Sequence, residues 1–469
     1  MKKLILIASF IFAAALVFGQ DGFGFGDDAS ASTTSNGGGS NVDVSGKVSA
    51  SVFLYPGDSD FGAQNVGDIF SGRLSFKSRG DSAEAAINIK LDKLNYGISS
   101  YRDVIDEAYV NLFLGGFYLE GGLRKLTWGK ADSFGPNDLV NYTDYRDLRD
   151  ISNPQNMKQS VPLLHASYYF GDSASSKMEI VFVPYFEGDV FSKGGRWIPA
   201  LVKNMPDILM NDVQKYIIQN YPANAAAILA GLTAMMDSVS LDPPTTTGIE
   251  NFQGGARFTT TINGAIDIGV QYYYGHFRRP SVMINGIEKF GESSVALNIN
   301  YNPYHSVGFD MAFVLAGFNL RAEAAAFLTE DTDGKKRAVE NPRLAWSLGF
   351  DRDLFAGINA NIQCNETIIL FSDEIIDNRA LDSDAGSDIT STRITAKLSK
   401  KLLQDKIELS AAAVWGIEAG DCVIVPAIKY NKGDMSTELS GGIFAGNSDG
   451  ELGSYKDNSY VKFAIGYSF

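Results

Sequence analysis

The side chains that most often perform chemistry are scarce in this sequence. It contains three histidines, His165, His276 and His305, and two cysteines, Cys364 and Cys422. Hydrolases that work through a nucleophile need a base, usually a histidine, beside a serine or cysteine. None of the three histidines sits in a local nucleophile motif. We therefore expect that the protein is not an enzyme and that these histidines are structural.

Motifs that bind metals or cofactors are also missing from the sequence. The sequence has no Cys-x-x-Cys pair, no His-x-x-x-His pair and no complete calcium-loop spacing of aspartates. The glycines between residues 22 and 39 suggest a phosphate-binding loop, but no Lys-Ser/Thr pair follows them and no strand precedes them. We expect neither a metal nor a cofactor.

One charged and aromatic stretch does have the composition of a solute-recognition site. A basic strand end runs into Trp-Gly and then into a loop rich in Asp and Tyr. A basic wall that faces an acidic loop creates a transverse field, which orients charged or dipolar solutes. The alternative is that the tryptophan belongs to an interfacial aromatic girdle and that the aspartates cap turns. The candidates for a pore constriction are Arg124, Trp128, Lys130, Asp132, Asp138 and Asp144.

The elements that would position these residues are strands. From Val44 onward apolar and polar residues alternate, as in 266–274 and 407–415, which is the pattern of β-strands with two different faces. A soluble sandwich shows the same pattern. However, the segments run to about ten to twelve residues, the length that a tilted strand needs to cross a bilayer. Their polar faces carry Arg, Lys and Glu, which a water-filled lumen tolerates. We therefore predict an all-β fold, a transmembrane antiparallel β-barrel over residues 44–469.

The strand count is less certain than the fold class. The sequence offers about nineteen candidate strands, whereas single-chain bacterial barrels use an even number. We expect eighteen strands, with sixteen as the next choice, and the doubtful segment is 275–291. A barrel of this size has room for an aqueous channel.

Both ends of the chain carry export signals. Lys2 and Lys3 precede an apolar run over 4–18 that ends in small residues, which predicts a signal peptide over residues 1–19. Residues 20–43 are rich in Gly, Ser, Asp and Thr and are expected to form a flexible tail. The last strand alternates up to a terminal aromatic, Phe469, and resembles the closing strand of outer-membrane barrels, which the insertion machinery reads. We expect a location in the bacterial outer membrane, surrounded by its lipid.

Two long connections interrupt the strands. Residues 128–160 are polar, whereas 187–251 contain two amphipathic stretches that predict helices over 197–221 and 222–239. Long loops are where barrels place constriction and selectivity. The sequence leaves open whether this helical insertion is a plug, a lid or a surface cap.

The alternation also assigns faces to the histidines and cysteines. It places Cys364 and Cys422 on the lipid face as small hydrophobic side chains, and their spacing demands no disulfide. It places His165 on the lumen face, His276 near a strand end and His305 in a turn.

The segment 121–186 resembles a porin-like outer-membrane family of unknown function. The resemblance lies in a Gly-Leu-Arg strand end that reaches Trp128-Gly129, in the Asp-rich loop that follows, and in a strand ending Val183-Pro184. It implies a barrel with a channel or uptake role and does not imply a particular substrate. The helical insertion departs from the pattern of this family.

These patterns together predict an outer-membrane channel that passes small hydrophilic solutes. The alternative is a structural or adhesive surface barrel with a plugged lumen, whose helical loop binds a partner; an enzyme ranks third, and a soluble all-β secreted protein is also compatible. The formal net charge of −15 argues against nucleic acid as a partner. The expected partners are small-molecule solutes, outer-membrane lipid and the insertion machinery, and the sequence does not decide whether the protein is a homo-oligomer.

Overall fold

The computed structural model describes residues 42–57, 66–92, 98, 100–236, 244, 246–285 and 296–469. The expected signal peptide (1–19) and nearly all of the expected tail (20–43) lie outside the described residues. The first strand begins at Val42, slightly before the predicted start of the barrel at residue 44.

Eighteen antiparallel strands form one closed barrel. The first strand pairs with both the second and the last strand, so the sheet has no free edge. The predicted fold class and the preferred strand number are therefore confirmed. The barrel strands are β1 (Val42–Leu54), β2 (Val66–Arg79), β3 (Ala83–Lys90), β4 (Ile105–Leu114), β5 (Phe117–Arg124), β7 (Val161–Phe170), β8 (Ser176–Val183), β10 (Gln253–Ile262), β11 (Ile266–His276), β14 (Pro303–Leu315), β15 (Phe318–Leu328), β16 (Arg343–Asp353), β17 (Ile358–Ile369), β18 (Thr390–Leu402), β19 (Ile407–Gly416), β20 (Asp421–Lys432), β21 (Met435–Gly446) and β22 (Tyr460–Ser468).

Four further strands lie in the loops. Strand β6 (Asp144–Tyr145) pairs in parallel with β9 (Val190–Phe191). Strands β12 (Ser281–Asn285) and β13 (Ala296–Asn300) form a separate antiparallel pair. In its described part, 275–285, the doubtful segment therefore contributes the end of β11 and a loop strand, and no additional barrel strand.

The alternation read from the sequence separates the two faces of the barrel. In β16, Leu348 is 56% exposed on the outside, whereas the neighbouring Ser347 is 1% exposed inside. In β17, Cys364 shares the outer face with Ile362, and Gln363 points inward. Both cysteines are free. An outward apolar face around a polar interior is the arrangement that lipid covers in a transmembrane barrel.

The two ends of the barrel differ in their connections. Val42 and Phe469 lie at the end with the short turns, where Gly46 and Phe469 exchange backbone hydrogen bonds. In the turn between β10 and β11, Asn263 and Gly264 have φ of 51° and 64°, the left-handed pair that a tight hairpin requires. All the long connections lie at the opposite end, which we call the long-loop end. Short turns on one side and long loops on the other are typical of outer-membrane barrels.

Two α-helices lie within the described part of the expected insertion, α1 (Ala200–Asn220) and α2 (Ala225–Met236). The buried face of α1 includes Val213 and Ile217, which pack in one cluster with Ile284 of β12 and Leu381 of the β17–β18 connection. All these partners belong to loops at the long-loop end. In the described part of the insertion, the helices therefore pack on loops. Among the described residues, no helix is long and apolar enough to cross a membrane.

The histidines occupy three different environments. His165 points into the lumen, as predicted, and its Nε2 lies 3.2 Å from Glu179. His276 is the last residue of β11, as predicted. The prediction for His305 was wrong, because this residue belongs to β14 and not to a turn. Pro303, two residues before His305, is the first residue of this strand. The side chain of the exposed His305 lies close to Tyr272, with 2.6 Å between its Nδ1 and the Tyr272 hydroxyl oxygen.

The assignment of faces can be tested with one matched pair of substitutions. Leu348→Arg places a charge on the lipid face at the middle of β16, and it is expected to lower the free energy of unfolding by about 2–4 kcal/mol. Ser399→Arg places the same charge on the inner face of β18 and is expected to have a much smaller effect. Urea unfolding in lipid vesicles measures both. Equal losses of stability would contradict the assignment of faces.

Candidate functional site

The connection between β5 and β7 folds into the barrel. We call residues 125–160 the inner loop. Residues 130–137, in its first half, contact the inner faces of four barrel strands, β11, β14, β15 and β17. The inner loop therefore divides the interior of the barrel. The side chains that hold the loop against the wall determine which part of the interior remains open.

Glu323 of β15 is the first attachment point. Its carboxylate accepts hydrogen bonds from the backbone N–H groups of Lys130, Ala131 and Asn137; the one from Ala131 is 2.6 Å long. Glu323 is only 4% exposed. Because a buried N–H group without a partner costs about 1–3 kcal/mol, this carboxylate stabilises the inward position of the inner loop.

Gln363 of β17 is the second attachment point. Its Oε1 accepts hydrogen bonds from the backbone N–H groups of Asp132 (2.8 Å) and Ser133 (3.4 Å). Its Nε2 donates to the Ser133 carbonyl oxygen. Together, Glu323 and Gln363 bind five backbone N–H groups of the inner loop, and we call these two side chains the latch.

The Trp-Gly pair of the sequence belongs to this attachment. Trp128 is 3% exposed and packs edge-on against Tyr273, with 6.2 Å between the ring centroids. Gly129 has a φ of +94°, and a Cβ atom there would lie 2.3 Å from the carboxylate of Glu323. Only glycine permits this close approach. Trp128 is thus a core residue, and it belongs neither to an interfacial girdle nor to a surface on which solutes stack.

The remaining predicted site residues are tied up in ion pairs. Arg124 binds Glu107 at 2.7 Å and Glu120 at 3.1 Å. The other pairs join Lys130 to Asp267, Asp132 to Arg321, Asp138 to Lys158 and Asp144 to Arg146. Two of these pairs, Lys130–Asp267 and Asp132–Arg321, join the inner loop to the barrel wall, whereas Asp138 and Asp144 are paired within the loop itself.

A cavity of about 1020 Å³ lies at the long-loop end, which we call the loop-end cavity. The first turn of α1 lines one side of it. Tyr145 and Phe191 stack on each other in its wall, with centroids 5.3 Å apart, and Arg279 lies over both rings. Arg279 also binds Glu451 at 2.6 Å. The guanidinium groups of Arg279 and Arg393 lower the pKa of the Glu451 carboxyl group to about 2.

A second cavity, of about 330 Å³, lies inside the barrel and is called here the lumen cavity. The inner faces of β1, β2, β20, β21 and β22 line it on one side, and residues 144–159 of the inner loop line it on the other. Asp144 and Gln159 line both cavities. The two cavities therefore adjoin at these two residues.

Of the six predicted constriction residues, Asp144 alone lines these cavities. Arg124, Trp128, Lys130, Asp132 and Asp138 do not line either one. The reason is the latch, which presses the first half of the inner loop against the wall. The structure thus places open space along the second half of the loop, opposite β1 and β22.

Apart from Asp144, the charged residues that line the lumen cavity were not among the predicted site residues. The barrel wall contributes Lys47, Arg73, Lys429 and Lys462, and the inner loop contributes Asp147 and Asp150. The sequence did contain one signal for the wall residues: each occupies a polar position of an alternating strand. Confinement inside the barrel raises the pKa of the Asp150 carboxyl group, and the neighbouring Asp147 carboxylate raises it further.

Comparison with known proteins finds similarity only to solved structures, at low sequence identity. No protein-family model and no curated protein matches the sequence. Among solved structures, the outer-membrane channel DcaP of Acinetobacter baumannii has a TM-score of 0.44 and 11% identity, over 92% of this chain and 98% of that chain. Wzi of Escherichia coli, described as a carbohydrate-binding β-barrel involved in group 1 capsule assembly, has a TM-score of 0.44 and 11% identity, over 91% and 84%. OpdO of Pseudomonas aeruginosa has a TM-score of 0.45 and 8% identity, over 91% and 97%.

Proposed function

We propose that this chain is an outer-membrane channel that passes small hydrophilic solutes. The closed barrel, its apolar outer face and its polar interior provide the framework for such a channel. The solutes would enter at the long-loop end, because that end carries the loops that outer-membrane barrels direct outward. Transport of this kind requires no cofactor and no catalytic step. We also propose that the closing strand β22 is the segment that the barrel-insertion machinery recognises.

The observation that carries this proposal is the pair of adjoining cavities. The loop-end cavity and the lumen cavity meet at Asp144 and Gln159, and the lumen cavity continues along the inner faces of the barrel strands. The inner loop narrows the barrel but leaves space on the side of β1 and β22. A narrowed path of this kind combines passage with discrimination among solutes.

The helical insertion fits this proposal as a cap at the mouth. Helix α1 packs on loops through Val213 and Ile217, while its first turn, including Leu201 and Lys203, faces the loop-end cavity. It would therefore shape the entrance and leave the lumen open. The alternative of a plugged structural barrel would require the path beyond Asp144 to be closed.

Single-channel recording tests the proposal directly. The refolded, detergent-purified chain, residues 20–469, is expected to insert into a planar bilayer and to give stable, discrete current steps. Resistance of the unheated protein to unfolding in detergent serves as the control for correct folding. A folded barrel that inserts but never conducts would contradict the channel and support the plugged alternative.

A further inference from the structure

Three cations stand side by side on the inner wall of the barrel. Lys47 lies directly opposite Arg73 across the β1–β2 ladder, and Arg73 lies directly opposite Lys90 across the β2–β3 ladder. Like charges in directly opposite positions destabilise a pair of strands. Packing of the barrel does not require this arrangement, which suggests that the row serves another purpose.

Two of these three cations make no ion pair with the described residues of the protein. Lys90 binds Asp106 at 3.4 Å, and it is the only paired member of the row. In the part of the chain that the structure describes, Lys47 and Arg73 have no ion pair. Lys429 of β20 has none either, and its charge lies within electrostatic range of Lys47. We call Lys47, Arg73 and Lys429 the cation group; all three line the lumen cavity.

Carboxylates also line the lumen cavity, and Glu438 lies directly opposite Lys429 across the β20–β21 ladder. Glu438 is bound to Lys462 at 3.0 Å, and Asp147 is bound to Arg149. Within the described residues, the carboxylates without an ion pair in the lumen cavity are Asp150 on the inner loop and Asp92 after β3. The barrel wall itself therefore presents unpaired positive charge to the solution.

We propose that the cation group is a binding site for small solutes that carry an oxyanion, either a carboxylate or a phosphate. An arginine guanidinium group can bind two oxygens of such an anion at once, and the two lysine ammonium groups add charge around it. The inference rests on the proposed channel and names the class of solute that it selects. An anion in this position would also relieve the repulsion between Lys47 and Arg73.

The test replaces the three cations by neutral residues. In a KCl gradient across a planar bilayer, the protein is expected to favour chloride over potassium, and the variant Lys47→Gln/Arg73→Gln/Lys429→Gln is expected to lose or reverse that preference. The variant should fold at least as well as the parent protein, because it removes repulsion. Lys335→Gln removes one charge from an exposed loop and should leave the reversal potential unchanged.

Binding provides a second measurement that does not depend on conduction. Titration calorimetry with inorganic phosphate on the detergent-solubilised barrel is expected to show binding that weakens about tenfold or more in the triple variant, the loss expected from removing one charge-assisted hydrogen bond. Phosphate is also expected to reduce the chloride current through the parent protein.

The outcomes separate the two proposals. A barrel that binds phosphate but does not conduct would overturn the channel and leave the anion site in place. A barrel that conducts with a preference for potassium, or with the same selectivity in the triple variant, would overturn the anion site and leave the channel in place. Equal phosphate binding by the parent protein and the triple variant would also overturn the anion site.

Discussion

Replacing both latch residues, Glu323→Ala/Gln363→Ala, is expected to raise the single-channel conductance severalfold. These side chains bind five backbone N–H groups of the inner loop. Without them, the buried N–H groups would lose their partners, at a cost of about 1–3 kcal/mol each. Water can satisfy these groups only if the loop leaves the wall. The space beside β14–β17 would then join the lumen cavity, and the conducting cross-section would grow.

The matched control removes the same two residue types elsewhere. Glu330→Ala/Gln404→Ala changes exposed side chains at the two ends of the barrel and is expected to leave the conductance unchanged. The single variant Glu323→Gln retains the size of the side chain but has only one acceptor oxygen, so an intermediate conductance is expected. A latch variant that folds and conducts like the parent protein would show that other contacts hold the inner loop in place.

The barrel was predictable because its determinants are local and repeated. Alternation over a single segment such as 266–274 already assigns one face to lipid and the other to water. In the structure, residues assigned to lipid, such as Val270, lie on the outward face of β11. About nineteen candidate strands with this pattern, together with the requirement for an even number, gave the predicted count of eighteen. His305 was misplaced because the turn signal of the preceding Asn-Pro pair outweighed the alternation that begins directly after it.

The site was only partly predictable because the path of the inner loop depends on distant partners. Glu323 and Gln363 lie far from the loop in sequence, and nothing in the segment 125–137 shows that these two side chains will bind its backbone. The sequence suggested a basic wall facing an acidic loop. In the structure, most of those charges cancel in pairs, such as that of Asp132 with Arg321. The unpaired charges lie on β1, β2 and β20, where single strands gave no sign that they would meet.

The pairing register between neighbouring strands explains why the barrel could be predicted from the sequence whereas the site could be predicted only in part. Lys47, Arg73 and Lys90 each look like ordinary lumen-facing positions when their strands are considered alone. Only the pairings of β1 with β2 and of β2 with β3 place them in one row. Sequence periodicity determines the face of a residue, whereas its neighbours on that face depend on register, which is set by the lengths of turns and the closure of the barrel.

The path along β1 leads to the second prediction with a large effect: Ser49→Trp is expected to abolish most of the conductance. Ser49 points into the lumen cavity, where its Oγ lies 2.6 Å from that of Ser71. The cavity measures about 330 Å³, and an indole ring would occupy a large part of it. Because the latch holds the inner loop against β14–β17, solutes would have no alternative route through that side of the barrel.

The neighbouring residue gives the matched control, since Ala50 lies on the outer face of the same strand. Ala50→Trp adds the same side chain to the lipid-facing surface and is expected to leave the conductance unchanged. Combining Ser49→Trp with the latch variant Glu323→Ala/Gln363→Ala is expected to restore current, because release of the inner loop would open the other side of the barrel. Full conductance in the single variant Ser49→Trp would place the solute path elsewhere in the barrel. A blocked channel that the latch variant reopens would establish that the inner loop determines which half of the lumen conducts.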